Sequence, residues 1–433
     1  MTDAPAYPGL DVTGPDRALL ATMQGGILKS HACTHVALIC LDLDLPSLTP
    51  QRLASVLQAV PVVSELQNIE QLRQDRSGHL FCAIYFDAGC LETIGGRSGL
   101  PRDLRFRHGM ARSSRHVLND PAPETWQHGL ERINILVQLA SDDAARVSAQ
   151  EAQLVERVTQ VFGGQARITV EHGKKLTNAA RRSIEPFGFV DGVSQPLFFK
   201  SELDRLASRG RQAGDWDPSA DPFSLVLVRD HYSPGSFGSF CVYRKIAQNV
   251  AAFSAAMTDL GAALGLTPDE AAELLMGRKK DGSPLGGAAQ RLNGFTFADD
   301  PAGLVCPHFA HIRKANPRAD DPEARHSRIA RRGVTIDNVQ GEQGLQFIAF
   351  QRSISQQFER LQAEWANSPF DVTRKSTVGL DPVSGRAARG NTHKLSIRRP
   401  DGQRVQWPVP EFSTLRGGAY LFAPSIPTLE RWR

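Results

Sequence analysis

The order of short apolar runs and helical patterns in the first half of the chain limits the fold more than any other feature. Runs rich in Val, Ile, Leu and aromatic residues predict strands, and the amphipathic stretches between them predict helices. The order is strand, helix, strand, strand, helix, strand, which is typical of a ferredoxin-like unit. Thr49 and Pro50 suit the N-cap and the first position of the first helix. The predicted strands are residues 35–41, 80–86, 133–139 and 166–170, and the second helix is 142–162.

A similar alternation recurs in the second half of the chain. Strands are predicted at 224–228, 240–243, 346–350 and 419–422, and helices at about 251–264, 268–276 and 353–365. The whole pattern predicts an α+β fold class. It would consist of duplicated ferredoxin-like subdomains with antiparallel sheets and peripheral helices, similar to a dimeric α+β barrel.

The length of the chain also indicates two subdomains, because 433 residues exceed the size of a usual single core. We predict a flexible N-terminal tail at 1–16, a first half at 17–209 and a second half at 220–433. The boundary is placed at the segment 210–218, which contains the Gly, Asp and Pro residues expected of turns.

The composition describes a soluble globular chain. The formal net charge is +4, and 22% of the residues are charged against 41% that are apolar, so nothing indicates nucleic-acid binding or a membrane surface. The six Cys residues form no Cys-x-x-Cys pair and are interpreted as reduced thiols. Residues 1–8 lack an export signal and no apolar run approaches ~20 residues, so we expect a cytoplasmic protein.

Residues 306–318 place two histidines among cationic side chains. A neutral imidazole is a common iron ligand in haem proteins, and Arg or Lys neighbours suit the acidic side chains of a porphyrin. His308 and His311 are three positions apart and could share a helical face, so their spacing does not choose between them. Alone, this segment is equally well interpreted as a basic surface turn.

Two other segments add a carboxylate and a guanidinium. Residues 185–196 contain the pair Asp191-Gly192, and residues 331–333 read Arg331-Arg332-Gly333. An Asp-Gly pair is most often a turn, and a run of arginines is most often a solvated face. A carboxylate can also act as general base and then general acid, and a fixed cation can stabilise developing negative charge.

Together the three segments resemble the haem site of the dye-decolorising peroxidase family. Further matches follow in the family's order over most of the chain, at residues 23–28, 238–245, 277–285, 344–351 and 417–425. The resemblance implies the same duplicated fold. It adds that the first half ends in the loop of the distal aspartate and that the second half carries the haem.

The resemblance also implies roles for particular residues. His311 would be the axial ligand of the iron of haem b, because the family's ligand is the His of an Ala-His-x-Arg-Lys unit. Asp191 would move the proton of the peroxide. Arg331, which is followed by one residue and then Gly, would stabilise the negative charge that develops when the peroxide bond breaks.

Other residues would hold the cofactor. Arg313, with Arg318 as a further candidate, would meet the haem propionates. Gly192 would let the loop approach the flat macrocycle. Leu345 and Phe347 alternate on one predicted strand and would keep the pocket dry.

Two further roles have only weak candidates in the sequence. A carboxylate should hold the axial imidazole, and Glu359 and Glu430 are the candidates. Surface aromatic residues could carry electrons from bulky reductants, and Trp365, Trp407 and Tyr420 are available in the second half.

The function that the resemblance implies is that of a haem peroxidase. Hydrogen peroxide would oxidise phenolic or dye-like substrates through a ferryl porphyrin-radical intermediate. The partners would be hydrogen peroxide and small aromatic reductants, with no nucleic acid and no membrane, and a homo-oligomer is compatible with the sequence. The alternatives are a haem-handling or sensing protein with incidental peroxidase activity, and a scaffold without haem. The presence of both Asp191 and Arg331 favours the enzyme, because a carrier needs neither.

Overall fold

Antiparallel strands and the helices packed on them make up the protein. The computed structural model describes residues 7–74, 79–208, 216, 219–286, 293–337, 341–388, 391, 393–399 and 402–433. The strands are β1 (His35–Leu43), β2 (Phe81–Phe86), β3 (Ile135–Ser141), β4 (Ala166–Lys174), β5 (Leu176–Thr177), β6 (Ser183–Ile184), β7 (Val228–Arg229), β8 (Phe237–Gln248), β9 (Ala330–Arg331), β10 (Val334–Thr335), β11 (Gly344–Gln351), β12 (Lys394–Arg398), β13 (Arg404–Pro408) and β14 (Ser413–Ala423). The helices are α1 (Arg17–Thr22), α2 (Pro50–Gln58), α3 (Glu65–Arg73), α4 (Ala88–Gly95), α5 (Leu104–His108), α6 (Met110–His116), α7 (Ala144–Phe162), α8 (Lys200–Ser208), α9 (Pro222–Leu225), α10 (Val250–Leu264), α11 (Pro268–Met276), α12 (His311–Ala315) and α13 (Ile426–Trp432), with a π-helix at Ile354–Ala366.

The large antiparallel sheet contains strands from both halves of the chain. Its order is β10-β11-β8-β14-β2-β3-β1-β4, with β7 beside β8 and β9 beside β11. Starting from the edge strand β4, the first half contributes β4, β1, β3 and β2, which are its fourth, first, third and second strands along the chain. The second half repeats this sequence as β14, β8, β11 and β10, if β9 and β10 are counted as one interrupted strand. This is the arrangement of a ferredoxin-like unit, so the predicted duplicated α+β fold is confirmed.

Both faces of the sheet are covered, as the alternation along β1 shows. Ile39 and Leu41 belong to the core in which the predicted helices α2 and α7 pack, whereas Leu38 and Cys40 belong to the core on the other face. The helix α2 begins as the sequence predicts, since the Thr49 side chain accepts a hydrogen bond from the main chain of its first turn and Pro50 follows it.

One predicted strand, at residues 224–228, is wrong. These residues begin inside the short helix α9, and only Val228 reaches a strand. Asp221 caps α9 by accepting a hydrogen bond from the N–H of Phe223, and Pro222 occupies the first helical position, which together form a helix start. The place of this strand in the second unit is taken by β9 and β10.

The segment predicted as a flexible tail is packed from Leu10 onward. Leu10 and Val12 are buried, and the main chain of Leu10 exchanges hydrogen bonds with Phe198 and Lys200. The prediction of a flexible segment failed there because it rested on the Pro and Gly content and did not consider the apolar side chains of Leu10 and Val12. The predicted boundary at 210–218 lies, apart from Trp216, outside the described residues, and the proposed limits of the two halves stay predictions.

Among the described residues, no single helix has the length and apolar character needed to cross a membrane. The helices α10 and α11, bent by 101° relative to each other, meet that length and composition only as a pair.

The buried side chain of Gln24 reinforces the joint between the two halves. The strands β2 and β14 pair only at Phe86 and Phe422. Beside that contact, the Gln24 amide donates to the carbonyls of Ile84 and Pro424, both at 2.9 Å, and its Oε1 accepts from the N–H of Ile84 at 2.9 Å. Gln24 therefore acts as a side-chain substitute for the missing strand pairing.

Replacing Gln24 by Leu should destabilise the protein, because three buried main-chain groups lose their partner. An unsatisfied buried group costs ~1–3 kcal/mol, so we expect a loss of about 3 kcal/mol in the free energy of unfolding. Urea denaturation of the variant measures it. The exposed Gln58→Leu should stay within about 0.5 kcal/mol of the parent protein, and equal stability of both variants would contradict this role of Gln24.

Candidate active site

A cavity of about 310 Å³ lies against the sheet of the second half. One wall is the ladder between β8 and β11, in which Phe347 pairs with Arg244 and Leu345 pairs with Ile246. Because side chains alternate along a strand, all four point to the same face and line the cavity. The predicted site residues that line it are Asp191, Gly192, His311, Arg331, Leu345 and Phe347.

His311 is the first residue of α12 and borders the cavity. Its Nδ1 lies 2.8 Å from Oδ2 of the fully buried Asp381, to which it must donate if the carboxylate is ionised. Burial by itself lowers the pKa of His311, but the Asp381 carboxylate outweighs it and the net pKa is raised. Burial likewise opposes ionisation of Asp381, yet the His311 pair holds the pKa of that carboxyl at about 2. With Nδ1 engaged, Nε2 is the nitrogen left for a ligand.

The structure distinguishes His308 from His311, which their spacing in the sequence could not do. His308 does not line the cavity, and its Nε2 lies 3.1 Å from the carbonyl of Pro301. The helix α12 begins only at His311, so the two side chains do not share a helical face.

Asp381 is the carboxylate that the sequence analysis missed. The first candidate, Glu359, pairs instead with Arg105 at 2.8 Å and accepts from the hydroxyl of Tyr420 at 3.0 Å. The second, Glu430, is exposed on α13. Asp381 follows His311 by 70 residues in a turn with no motif of its own, so no local signal marked it.

The Asp381 turn is built around its carboxylate. Oδ1 accepts from the N–H groups of Val383 at 2.8 Å and Ser384 at 3.0 Å, and Oδ2 accepts from the Ser384 hydroxyl at 2.8 Å. A side chain held by this many donors presents a fixed acceptor to His311.

Asp191 and Arg331 meet at the cavity. Their side chains approach to 3.5 Å, between Oδ1 and Nη1, and are 42% and 32% exposed, which leaves both accessible from the cavity. Oδ1 also accepts from the N–H of Gly192 at 2.6 Å. Gly192 has a φ of +79°, a conformation that favours glycine, and apart from its chain neighbours no described residue has an atom within 4 Å of where a Cβ would be.

The backbone of Arg331 is fixed from two sides. Arg331 pairs with Ala349 of β11, and its N–H donates to Oε1 of Gln195 at 3.1 Å. The neighbouring Arg332 is buried away from the cavity and donates to the carbonyls of Gly26 and Ile27. Burial lowers the pKa of Arg332 to about 10. The geometry thus distinguishes Arg331, which lines the cavity, from Arg332, which does not, and the family pattern makes the same choice.

The expected role of Arg313 at the haem propionates is contradicted by the structure. Arg313 is 1% exposed and does not line the cavity. Its guanidinium donates to Asp320 at 2.7 Å, to Asp300 at 3.3 Å and to the carbonyl of Cys306 at 2.8 Å. These hydrogen bonds use the Arg313 guanidinium to stabilise the segment around α12. The sequence shows only that Arg313 is charged, and this does not distinguish a structural role from ligand binding.

Arg318 does line the cavity, but its donors are largely used. Nη1 donates to the carbonyls of Asn293 and Phe295 at 2.6 and 2.8 Å, and Nη2 donates to Oδ1 of Asn293 at 2.8 Å. Burial lowers the pKa of Arg318 to about 9.

Several buried polar atoms at the cavity have no protein partner within the described ranges. They are Nη1 of Arg244, Oε1 of Gln248 and Oδ1 of Asn316. Buried polar groups are normally hydrogen-bonded, so such atoms around one cavity indicate a ligand with polar groups.

The aromatic residues proposed as surface electron carriers are buried. Trp365 is 4% exposed, Trp407 is 9% exposed and Tyr420 is 1% exposed. Of these three only Trp365 lines the cavity.

Comparisons with known proteins agree with this architecture. The family described as "Dyp-type peroxidase, C-terminal" matches residues 217–374. The multifunctional dye peroxidase DyP2 of Amycolatopsis sp. is 32% identical, over 96% of this chain and 96% of that protein. The dye-decolorizing peroxidase AauDyP1 of Auricularia auricula-judae is 28% identical over 76% of this chain and 70% of its own length. The crystal structure of a DyP-type peroxidase from Anabaena sp. superimposes with a TM-score of 0.87 at 31% identity, covering 99% of this chain and 98% of that one.

The fold is that of a haem-dependent peroxidase. The chain belongs to the dye-decolorising peroxidase family. The residues present fit haem. Within the described part of the chain, the cavity combines the His311 imidazole, whose Nε2 has no hydrogen-bond partner, with apolar side chains and with buried polar atoms that also have none.

The hydrogen bond that His311 donates to Asp381 should control how firmly His311 holds iron. In Asp381→Asn an amide replaces the carboxylate, so the imidazole loses its charged acceptor and its fixed orientation. Loss of such a partner typically costs ~10–100-fold in metal affinity or activity, and we expect haem to transfer faster to an excess of apomyoglobin by a factor in that range. Glu430→Gln, on the exposed side of α13, is the control. Identical transfer rates for the two variants would contradict the role of Asp381.

Proposed function

We propose that this peroxidase binds haem b through His311 and uses hydrogen peroxide to oxidise small aromatic reductants such as phenols and dyes. The observation that carries the proposal is one cavity lined both by His311, which Asp381 holds from behind, and by the Asp191–Arg331 pair. A protein that only carries haem has no use for the second pair, so the haem-handling alternative is not favoured.

Bound haem would supply the iron that takes up peroxide and the oxidising equivalents passed to the reductant. His311 would be its axial ligand. Asp381 would keep the proton on Nδ1 and so leave Nε2 free to donate to the metal. Arg244, whose Nη2 donates to Asp120 at 2.6 Å while Nη1 has no partner among the described residues, would meet a propionate.

Asp191 would act as the proton carrier. Its Oδ1 is engaged by Gly192 and Arg331, whereas Oδ2 has no hydrogen-bond partner in the described part of the chain. Oδ2 can therefore take the proton from one peroxide oxygen and return it to the oxygen that leaves, which contributes ~10²–10⁴-fold in rate.

Arg331 would stabilise the leaving oxygen. Its guanidinium is permanently charged, and its backbone is held by Ala349 and Gln195, so the charge is in place before the reaction begins. Leu345 and Phe347 would exclude water from the same side, which strengthens the interaction between Arg331 and the developing negative charge.

The cytoplasmic location also stays a proposal and rests on the sequence alone.

The assignment of His311 can be tested on purified protein. His311→Ala should lose most of its haem, whereas His308→Ala should retain it, because only His311 borders the cavity. The ratio of Soret to protein absorbance measures both, and circular dichroism checks that the fold persists. An empty site in His308→Ala alone would overturn the assignment.

The peroxide step should depend on both distal residues. We expect Asp191→Asn to slow it by ~10²–10⁴-fold and Arg331→Leu by ~10²–10³-fold, at unchanged haem content. Stopped-flow recording of the Soret change after mixing with hydrogen peroxide gives the rate. Arg229→Leu, an exposed change on β7, is the control. Normal rates in both distal variants would refute the proposed chemistry.

A further inference from the structure

A second carboxylate, that of Glu185, lies inside the loop that carries Asp191 and has no part in the chemistry above. One oxygen, Oε1, accepts from the N–H of Phe189 at 3.0 Å. The other, Oε2, accepts from the N–H of Phe187 at 3.0 Å and from the side-chain amide of Gln248, the last residue of β8, at 3.1 Å. Glu185 thus joins the loop to the sheet that forms the cavity wall.

The main chain of this loop folds closely around the carboxylate. Gly188 donates its N–H to the carbonyl of Glu185 at 2.8 Å, and the N–H of Glu185 donates to Phe189 at 3.0 Å. Gly188 has a φ of +94°, so the turn uses a conformation that favours glycine. Two residues after Phe189 the chain reaches Asp191, whose N–H donates to the carbonyl of Ser183 at 3.0 Å.

The Asp191 side chain has few restraints of its own. It is 42% exposed, and the contacts that hold it are the N–H of Gly192 and the guanidinium of Arg331. Its position must therefore come largely from the backbone of the loop. A misplacement of about 1 Å can cost ~10²-fold in rate, so a group that fixes this backbone affects the chemistry.

Only a carboxylate satisfies the three donors around Glu185. An ionised carboxylate has two accepting oxygens, whereas the amide of Gln replaces one of them with a donor. In Glu185→Gln an NH₂ group would face the N–H of Phe189, or else the two donors that share Oε2. The change keeps the size and shape of the side chain, but it replaces one accepting oxygen by a donor and removes the negative charge.

We propose that Glu185 is a positioning residue for the peroxide step, which holds the loop so that the Asp191 carboxylate stands beside Arg331. The inference rests on the proton-carrying role proposed for Asp191. Although Glu185 also lines the cavity, both its oxygens are engaged by the donors named above, so it acts through Asp191.

A double-mutant cycle tests this on the haem-loaded protein. Glu185→Gln should slow the peroxide-dependent Soret change about 10- to 100-fold at unchanged haem content. In the Asp191→Asn background the same substitution should have almost no further effect, because the group on which it acts is gone. The rate at which added phenol restores the resting spectrum should be the same as in the parent protein. A purely structural role would change the rate by the same factor in both backgrounds.

Two further variants keep the outcome interpretable. Gln248→Leu removes one of the three donors and, compared at equal haem content because Gln248 also lines the cavity, should slow the peroxide step less, again only when Asp191 is present. It replaces Glu185→Gln if that variant does not fold. Asp87→Asn is the matched control, since Asp87 also accepts from a main-chain N–H and a side-chain amide, at 2.7 and 2.8 Å, but does not line the cavity. It should leave the peroxide rate unchanged.

Equal slowing in both backgrounds, or no slowing by either variant with Asp191 present, overturns the role of Glu185. A normal rate in Asp191→Asn alone overturns the proposed role of Asp191, and with it this inference. The single variants therefore distinguish the two failures.

Discussion

The cavity depends on the antiparallel register between β8 and β11. Phe347 stands opposite Arg244 and Leu345 opposite Ile246, so apolar and cationic side chains of two strands form one wall. The pairing of β9 with β11 then brings Arg331 to the same place. A slip of one residue in either strand would turn the side chains of that strand to the opposite face, since the period of a strand is two. The core and the cavity therefore depend on the same hydrogen bonds.

The remaining groups reach this wall from loops and short helices. Asp191 comes from the loop after β6, and His311 comes from the start of α12, where Asp381 meets it. The Asp191 carboxylate accepts from the N–H of Gly192, and the Asp381 carboxylate, which holds His311, accepts from main-chain N–H groups within its own turn. The sheet supplies a rigid wall, and polar contacts within the loops give the side chains their direction.

The two halves have the same topology but different content. Both contain the fourth-first-third-second strand order of the ferredoxin-like unit, and they meet at a joint where Gln24 replaces strand pairing. The β8–β11 wall and His311 belong to the second half, and the Asp191 loop comes before that half in the chain. The hydrogen bond between Gln248 of β8 and Glu185 of this loop therefore also connects the second half to the part of the chain that precedes it.

The sequence by itself determined the seven longer strands of the large sheet, the helices α2, α7, α10 and α11, the helix at Ile354–Ala366 and the duplicated architecture, because these follow from local periodicity and capping. The short strands and the remaining helices were not predicted. The strand predicted at residues 224–228 is wrong, since a start signal at Asp221 and Pro222 outweighed an apolar run. Motifs also identified Asp191, His311 and Arg331, which the fold brings to one cavity. Only the tertiary structure decided that Arg313 binds Asp300 and Asp320, and that Asp381 holds His311. A charge in a sequence does not name its partner, since ion pairs between distant residues form only when the packing of the whole chain brings them within reach.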